Sequence, residues 1–268
     1  MSAIRFYKFR AVTETDNLAE DYALQALINS YAIFSGRKNF NDLFDSKIDI
    51  PHPTPEQILG LLQDPKIGGN ATTVNTWLSS GALTPDGRRA LSEWEASLNN
   101  LFDSYPIYSL SIHSDCHLLW AHYAAWHTGF CIEFEFPNNQ PDEVAYREHI
   151  ECVPLIDFMK SRFGLIGDEF GTRIHDALLV KMDCWAYEGE YRWIASHELV
   201  RGGVPMGHSF VKVRYERQWV KAIIFGCRTP ANVKTYILKH LPFTTEFKQA
   251  VEAKDRIEVV SFDEHSHL

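Results

Sequence analysis

The stretch Gly129-Phe130-Cys131-Ile132-Glu133-Phe134-Glu135-Phe136 decides the fold class. In a strand, successive side chains point to opposite faces. Phe130, Ile132, Phe134 and Phe136 therefore face one way, and Cys131, Glu133 and Glu135 face the other. Gly129 stops the short helix read just before it, through His117 to His127.

Outward from this strand, similar runs recur. Ile4 to Phe9, Tyr31 to Ser35 and Ile107 to Ile112 precede it; Trp185 to Ala195, His208 to Tyr215, Trp219 to Phe225 and Arg256 to Phe262 follow. Helical spacing falls between them. Leu18, Tyr22, Ala26 and Leu27 recur after a capping Asp16 or Asn17, and Glu56 to Leu62 reads as a helix. Thr84-Pro85 gives a cap and a first-turn proline before a stripe of Leu91, Trp94, Leu98, Leu101 and Phe102. Residues 157 to 182 read as mostly helical, and Thr229-Pro230 opens a helix carrying Val233, Tyr236, Ile237 and Leu241. Strands scattered among helices without a βαβ rhythm predict an α+β fold: a mixed, mostly antiparallel central sheet with flanking helices. One domain over 1–268 is the simplest count, with a helical insertion near 51–104.

A formal net charge of −9 argues against a broad electrostatic grip on nucleic acid or an anionic membrane, though it allows a local basic groove. No apolar run approaches the ~18 residues that span a bilayer. The opening Met-Ser-Ala-Ile-Arg-Phe-Tyr-Lys-Phe-Arg is charged and strand-like, without a signal-peptide core, so a cytoplasmic protein is expected. Five cysteines, Cys116, Cys131, Cys152, Cys184 and Cys227, are odd in number and never closely spaced, and so read as small, buried, reduced side chains.

Three segments could carry chemistry. In Trp185-Ala186-Tyr187-Glu188-Gly189-Glu190-Tyr191-Arg192-Trp193, a continuous strand would set Glu188, Glu190 and Arg192 on one face. Two carboxylates and a guanidinium can orient hydroxyls and stabilise a positive transition state; a polar sheet face with an internal ion pair would read the same way. Along Trp120-Ala121-His122-Tyr123-Ala124-Ala125-Trp126-His127, helical spacing groups Tyr123 with His127 and Trp120 with Tyr123. Such a face suits stacking and edge recognition of an aromatic ring, or is a partly buried helix with satisfied polar tips. Asn41-Asp42-Leu43-Phe44-Asp45 is a tight turn by default and a ligand loop in the alternative. Tyr7, Lys8 and Arg10 give a strand-borne basic edge able to meet phosphate, or a solvated strand edge.

His113, Asp115, Cys116, His117, His122 and His127 crowd one stretch, but their spacing fits no zinc class, and no metal is expected. The phosphate-cradling, dinucleotide-binding and nucleophile-elbow glycine motifs do not occur.

Taken in order, several segments resemble the bacterial domain-of-unknown-function 2971 family. They are Phe6-Tyr7-Lys8-Phe9-Arg10, Ile33-Phe34-Ser35, Phe40 to Asp45, Ser109-Leu110-Ser111, Trp120-Ala121-His122-Tyr123 with Gly129 to Phe134, Lys181, Trp185 to Arg192, and Ile223-Ile224-Phe225-Gly226. Leu43 stands where that family usually has proline. A weaker resemblance is to small ADP-ribosyltransferases, including toxins that modify nucleic acids. It is carried by Tyr7-Lys8-Phe9-Arg10, Tyr31 to Ser35 and Glu188-Gly189-Glu190. This second resemblance implies NAD as substrate and a nucleic-acid or protein acceptor, in phage defence or a toxin system. Glu190, with Glu188, would serve the nicotinamide ribose; Lys8, Arg10 and Ser35 the cofactor pocket; Tyr7 or Tyr31 the nicotinamide ring; His122 and Tyr123 the acceptor. Asn41, Asp42, Trp120, His127 and Arg192 complete the expected binding set. The rival readings are a non-catalytic ligand-sensing or interaction domain, and a hydrolase or nuclease built on His122, His127 and the paired glutamates.

Overall fold

The alternation at 130–136 becomes the strand Phe130–Phe134, but both of its faces are buried. Phe130, Ile132 and Phe134 enter the main core, while Cys131 joins a second cluster with Phe9, Trp120 and Ile224. Glu133, on that second face, is held by Lys248 at 2.8 Å and Arg5 at 3.6 Å. The face carrying Cys131 and Glu133 is thus covered as well, its charge neutralised locally. Of the cysteines expected to be buried, only Cys131 is; Cys116 and Cys227 are half-buried, and Cys152 and Cys184 are exposed because they lie in a short strand and a 3₁₀ turn at the surface.

The computed structural model describes residues 4–67, 76–137, 141–206 and 210–263. Part of the expected insertion, the first two residues of the strand expected from His208, and the tail beyond 263 lie outside these ranges. The chain clusters into two compact units: Met1–Gly36, Pro106–Val144 and Cys184–Leu268 form one, Arg37–Tyr105 and Ala145–Asp183 the other. The segment 51–104, read as an insertion, falls within the second.

The first unit is built on one sheet of eleven strands. These are β1 Phe6–Arg10, β2 Tyr31–Ser35, β3 Ile107–Ser111, β4 Phe130–Phe134, β5 Asp142–Glu143, β6 Glu190–Ile194, β7 Val204–Met206, β8 Phe210–Arg214, β9 Val220–Phe225, β10 Glu246–Glu252 and β11 Ile257–Ser261. Their order is β7-β8-β2-β3-β1-β4-β9-β10-β11, with β6 pairing β3 and β5. Every pairing is antiparallel except β9 with β10, as an α+β fold with a mixed sheet requires.

At β3 the sheet forks. Along one edge β3 pairs fully with β6, from Ile107↔Ile194 to Ser111↔Glu190. Its other edge is shared, meeting β2 at Ser35↔Ile107 and β1 at Tyr7↔Ser111. By register, Tyr7, Ser109, Ser111, Glu190 and Arg192 share one face. The opposite face carries Tyr108, Leu110, Tyr191 and Trp193 into the core with Phe6, Phe34 and Phe136.

The first helix, Tyr22–Ile28, starts later than Asp16 or Asn17 would place it: Asp21 is the cap, accepting from the Leu24 N–H at 2.9 Å. Its second carboxylate oxygen accepts from the Thr13 N–H at 2.8 Å, so the carboxylate also ties down the preceding loop. The helix Ala231–His240 follows β9, with Val233 and Ile237 buried.

In the second unit, Thr54 and Gln57 form a reciprocal capping box for the helix Pro55–Leu62. Thr84 caps Pro85–Asp103, whose Leu91, Leu98 and Phe102 are fully buried. The region 157–182 resolves into two helices, Leu155–Arg162 and Glu169–Leu178, and a short strand, Val180–Met182. Trp94 meets Phe158 edge-on at 5.7 Å, and Asp103 holds Arg37 at 2.8 Å and Lys38 at 2.5 Å.

Candidate functional site

Trp120 anchors the helix His117–Tyr123. Its ring meets Phe9 edge-on at 5.0 Å, and its indole N–H donates to the Ser114 carbonyl at 2.8 Å. Three residues on, Tyr123 donates its hydroxyl to Oε1 of Glu188 at 2.7 Å. The tryptophan-histidine helix and the glutamate segment therefore converge, although 65 residues separate the two side chains.

The convergence is not the one expected from period two. Residues 183–188 form a 3₁₀ turn, and β6 begins only at Glu190. Gly189 lies between with φ +50°, in the left-handed region, and a Cβ there would stand 2.7 Å from Nε2 of His113. Only glycine fits both demands. Glu188 is thus turned off the strand, while its carbonyl accepts the Ser111 hydroxyl at 2.5 Å. Ser111 Oγ also accepts from the His113 N–H at 2.9 Å.

Glu190 and Arg192 remain neighbours on one strand face. Arg192 grips Glu190 through Nε at 2.9 Å and Nη2 at 3.3 Å, the bidentate arrangement that guanidinium and carboxylate favour. Glu188, Glu190 and Arg192 are 4%, 3% and 0% exposed, so two carboxylates are held away from bulk water. Tyr7 lies on the same face, and burial, then Glu133, pushes its phenol up. His122 is exposed, with its ring 6.4 Å from that of Trp185.

Lys8 fills the fork. It donates to the Ser109 carbonyl at 2.7 Å and lies 4.6 Å over the Tyr108 ring. Burial, then Arg10, lowers its pKa to about 7, against the opposing pull of Glu190 and Glu188. Tyr215, 3% exposed, has a hydroxyl without a hydrogen-bond partner among the described residues.

Other expected members lie elsewhere. Ser35 pairs with Ile107, at the end of β3 opposite Ser111 and Glu190, roughly 13 Å along the strand. Its hydroxyl bonds only locally among the described residues, to the Gly36 carbonyl at 3.2 Å. His127 does not share a helix face with Tyr123. The helix ends at Tyr123, and Ala125, Trp126 and His127 all take positive φ, 47°, 57° and 70°. Each left-handed residue costs about 1–2 kcal/mol. The turn is held by bonds from the His127 N–H to the Trp120 carbonyl and from the Gly129 N–H to the Ala124 carbonyl. His127 instead lines a separate hollow of about 290 Å³ with His117, Cys227, Arg228 and Glu252. Burial, then Arg228, holds its pKa below the usual imidazole value.

Asn41 and Asp42 belong to the second unit. There Asp42 accepts from the Phe44 N–H at 3.0 Å, an Asx turn of architectural type, and Lys181 faces Asp45 at 3.5 Å, both nearly buried. Among the described residues, no group of three or more His, Cys, Asp or Glu side chains is placed to hold a metal ion. No helix among them is long and apolar enough to cross a membrane.

Sequence reasoning did not single out Tyr22, Lys212 and Arg214, which line up with Tyr31 and Arg10 in a row of alternating rings and cations. No family model matches the chain, and neither does any curated protein or solved structure.

Proposed function

We propose that this chain, as a member of the bacterial 2971 family, transfers ADP-ribose from NAD to an acceptor, in a toxin or phage-defence setting. The observation that carries the reading is the Glu188-Gly189-Glu190 turn. It holds two buried carboxylates, Glu188 bonded by the Tyr123 hydroxyl and Glu190 gripped by Arg192.

In this reading Glu190, fixed by Arg192, faces the nicotinamide ribose and favours positive charge developing at its anomeric carbon. The carbon–nitrogen bond to nicotinamide breaks and its electron pair leaves with the nicotinamide. An acceptor nucleophile forms the new bond to that carbon and gives up its proton, with Glu188 and Tyr123 placed to relay it. Tyr7, on the same face as Glu190, offers a ring for stacking; Lys8 and Arg10 project from the other face of β1.

The test is nicotinamide release from NAD together with a thermal shift by NAD, which should follow RT ln(1 + [L]/Kd). Release should occur with wild type and fall by at least about a hundredfold with Glu190→Gln, the scale for removing an electrostatic stabiliser. A specific observation favours a second reading. The fully buried bidentate Glu190–Arg192 pair is also what a ligand-sensing scaffold without turnover would contain. A thermal shift by NAD without any nicotinamide release would select it.

A further inference from the structure

Five side chains from four elements of the first unit form one row. Arg10 lies 5.9 Å from the Tyr22 ring centroid, and Lys212 lies 5.8 Å from Tyr22 and 5.9 Å from Tyr31. Arg214 lies 5.3 Å from Tyr31 and donates to its hydroxyl at 3.2 Å. The row therefore alternates cation, ring, cation, ring, cation. Register explains it: Lys212 pairs with Ile33 and Arg214 with Tyr31, so both cations share the Tyr31 face, while Val211 and Val213 fill the core.

Two features set the row apart. The chain carries a net charge of −9, yet among the described residues none of Arg10, Lys212 and Arg214 is ion-paired. Lys47 and Arg217 each lie over a single ring in the same way, whereas here three cations and two rings share one row. The spacings also lie near the ~6 Å limit of cation–π contact. Each cation lies over a ring, and Tyr22 is 40% exposed.

We infer that this row is a binding surface for single-stranded nucleic acid. Unstacked bases can stack on the guanidinium planes of Arg10 and Arg214 and on the exposed part of the tyrosine rings, while phosphates meet the interleaved cations. A duplex keeps its base faces buried, and an apolar membrane partner has no use for three unpaired charges. The surface stands on this geometry alone; its role as the platform for the acceptor rests on the transfer reading above.

The test uses the full chain and fluorescence anisotropy with labelled single-stranded DNA and RNA homopolymers, and a duplex of equal length, across a salt series. Single strands should bind better than the duplex, more weakly as salt rises. The double variant Lys212→Gln with Arg214→Gln should weaken binding at least about tenfold and flatten the log–log salt slope by about 1.4, at ~0.7 per phosphate contact. Tyr31→Leu should weaken binding at least about fivefold with the slope unchanged, because stacking releases no counterions. Circular dichroism of each variant separates lost contacts from lost fold.

Absence of single-strand binding at low salt, equal duplex binding, or an unchanged double variant would each overturn the inference. So would loss of NAD affinity in the double variant without oligonucleotide binding, which would reassign the row to the dinucleotide. Nicotinamide release is followed in parallel. Release without oligonucleotide binding removes the surface and keeps the transfer reading; binding without release does the reverse.

Discussion

Charge is handled in two opposite ways within the first unit. Around Glu188, Glu190 and Arg192, ionisable groups are buried and matched: a guanidinium grips one carboxylate and a phenol bonds the other. Along the row from Arg10 to Arg214, cations are left without carboxylates and lie beside tyrosine rings. Desolvation explains the difference. A charge removed from water must be matched within the protein, whereas a partly exposed one keeps its hydration and stays available. The buried cluster is preorganised for a reacting centre, and the row is open to a polyanion.

Breaking the buried pair should have the largest effect. Arg192→Met leaves Glu190 buried beside an apolar side chain and should cost about 3–5 kcal/mol in chemical denaturation. A loss under about 1 kcal/mol would show that water reaches the pair. Tyr123→Phe removes one hydrogen bond to a carboxylate and should cost about 1.5–3 kcal/mol. An unchanged midpoint would mean that the helix and the glutamate turn are not joined in solution.

Lys8 sharpens the comparison through pH. Burial lowers its amine from the ordinary lysine value of 10.5 to about 7 when folded. Between these values the unfolded chain holds a proton that the folded one lacks, so unfolding takes up a proton and stability rises with pH. The penalty for burying the charged amine is fully present below the folded value and relieved above it. Lys8 alone gives a slope of up to about 1.4 kcal/mol per pH unit in this window. Denaturation curves of wild type and Lys8→Met across it should diverge accordingly; parallel curves would contradict a half-buried Lys8 with a depressed pKa.

The smallest effect is expected in the row. Lys212→Gln with Arg214→Gln should shift stability by no more than about 0.5 kcal/mol, as surface changes do. A larger loss would show that these cations hold the sheet together rather than wait for a ligand.

Local chemistry made much of this architecture readable. The alternation at 130–136, the helical run at 56–62 and the cap at Thr84 depend on near neighbours in the chain, and these elements form close to where the residues place them. The strand Glu246–Glu252 was not legible, because Gln249 interrupts its pattern. Its side chain is buried, donating to the carbonyls of Gly226 and Ala250 at 2.9 and 2.7 Å, partners that only the folded sheet supplies. Glu188 was misplaced on a strand face because Gly189 reads as a weak strand residue, not as a left-handed turn against His113. In the candidate site, residue types were legible but their grouping was not. Glu188 and Tyr123 meet, while Ser35 and His127 go elsewhere, because antiparallel register and a run of positive φ decide proximity. The row of rings and cations was invisible in a linear reading, since its members come from β1, the first helix, β2 and β8.

Turnover of NAD tests the central claim most directly. The account predicts that wild-type protein liberates nicotinamide, that Glu190→Gln and Glu188→Gln both reduce release while staying folded, and that Glu190→Gln does so more strongly. Equal release by wild type and Glu190→Gln, or none from wild type with either a single-stranded oligonucleotide or a protein extract as acceptor, would contradict it.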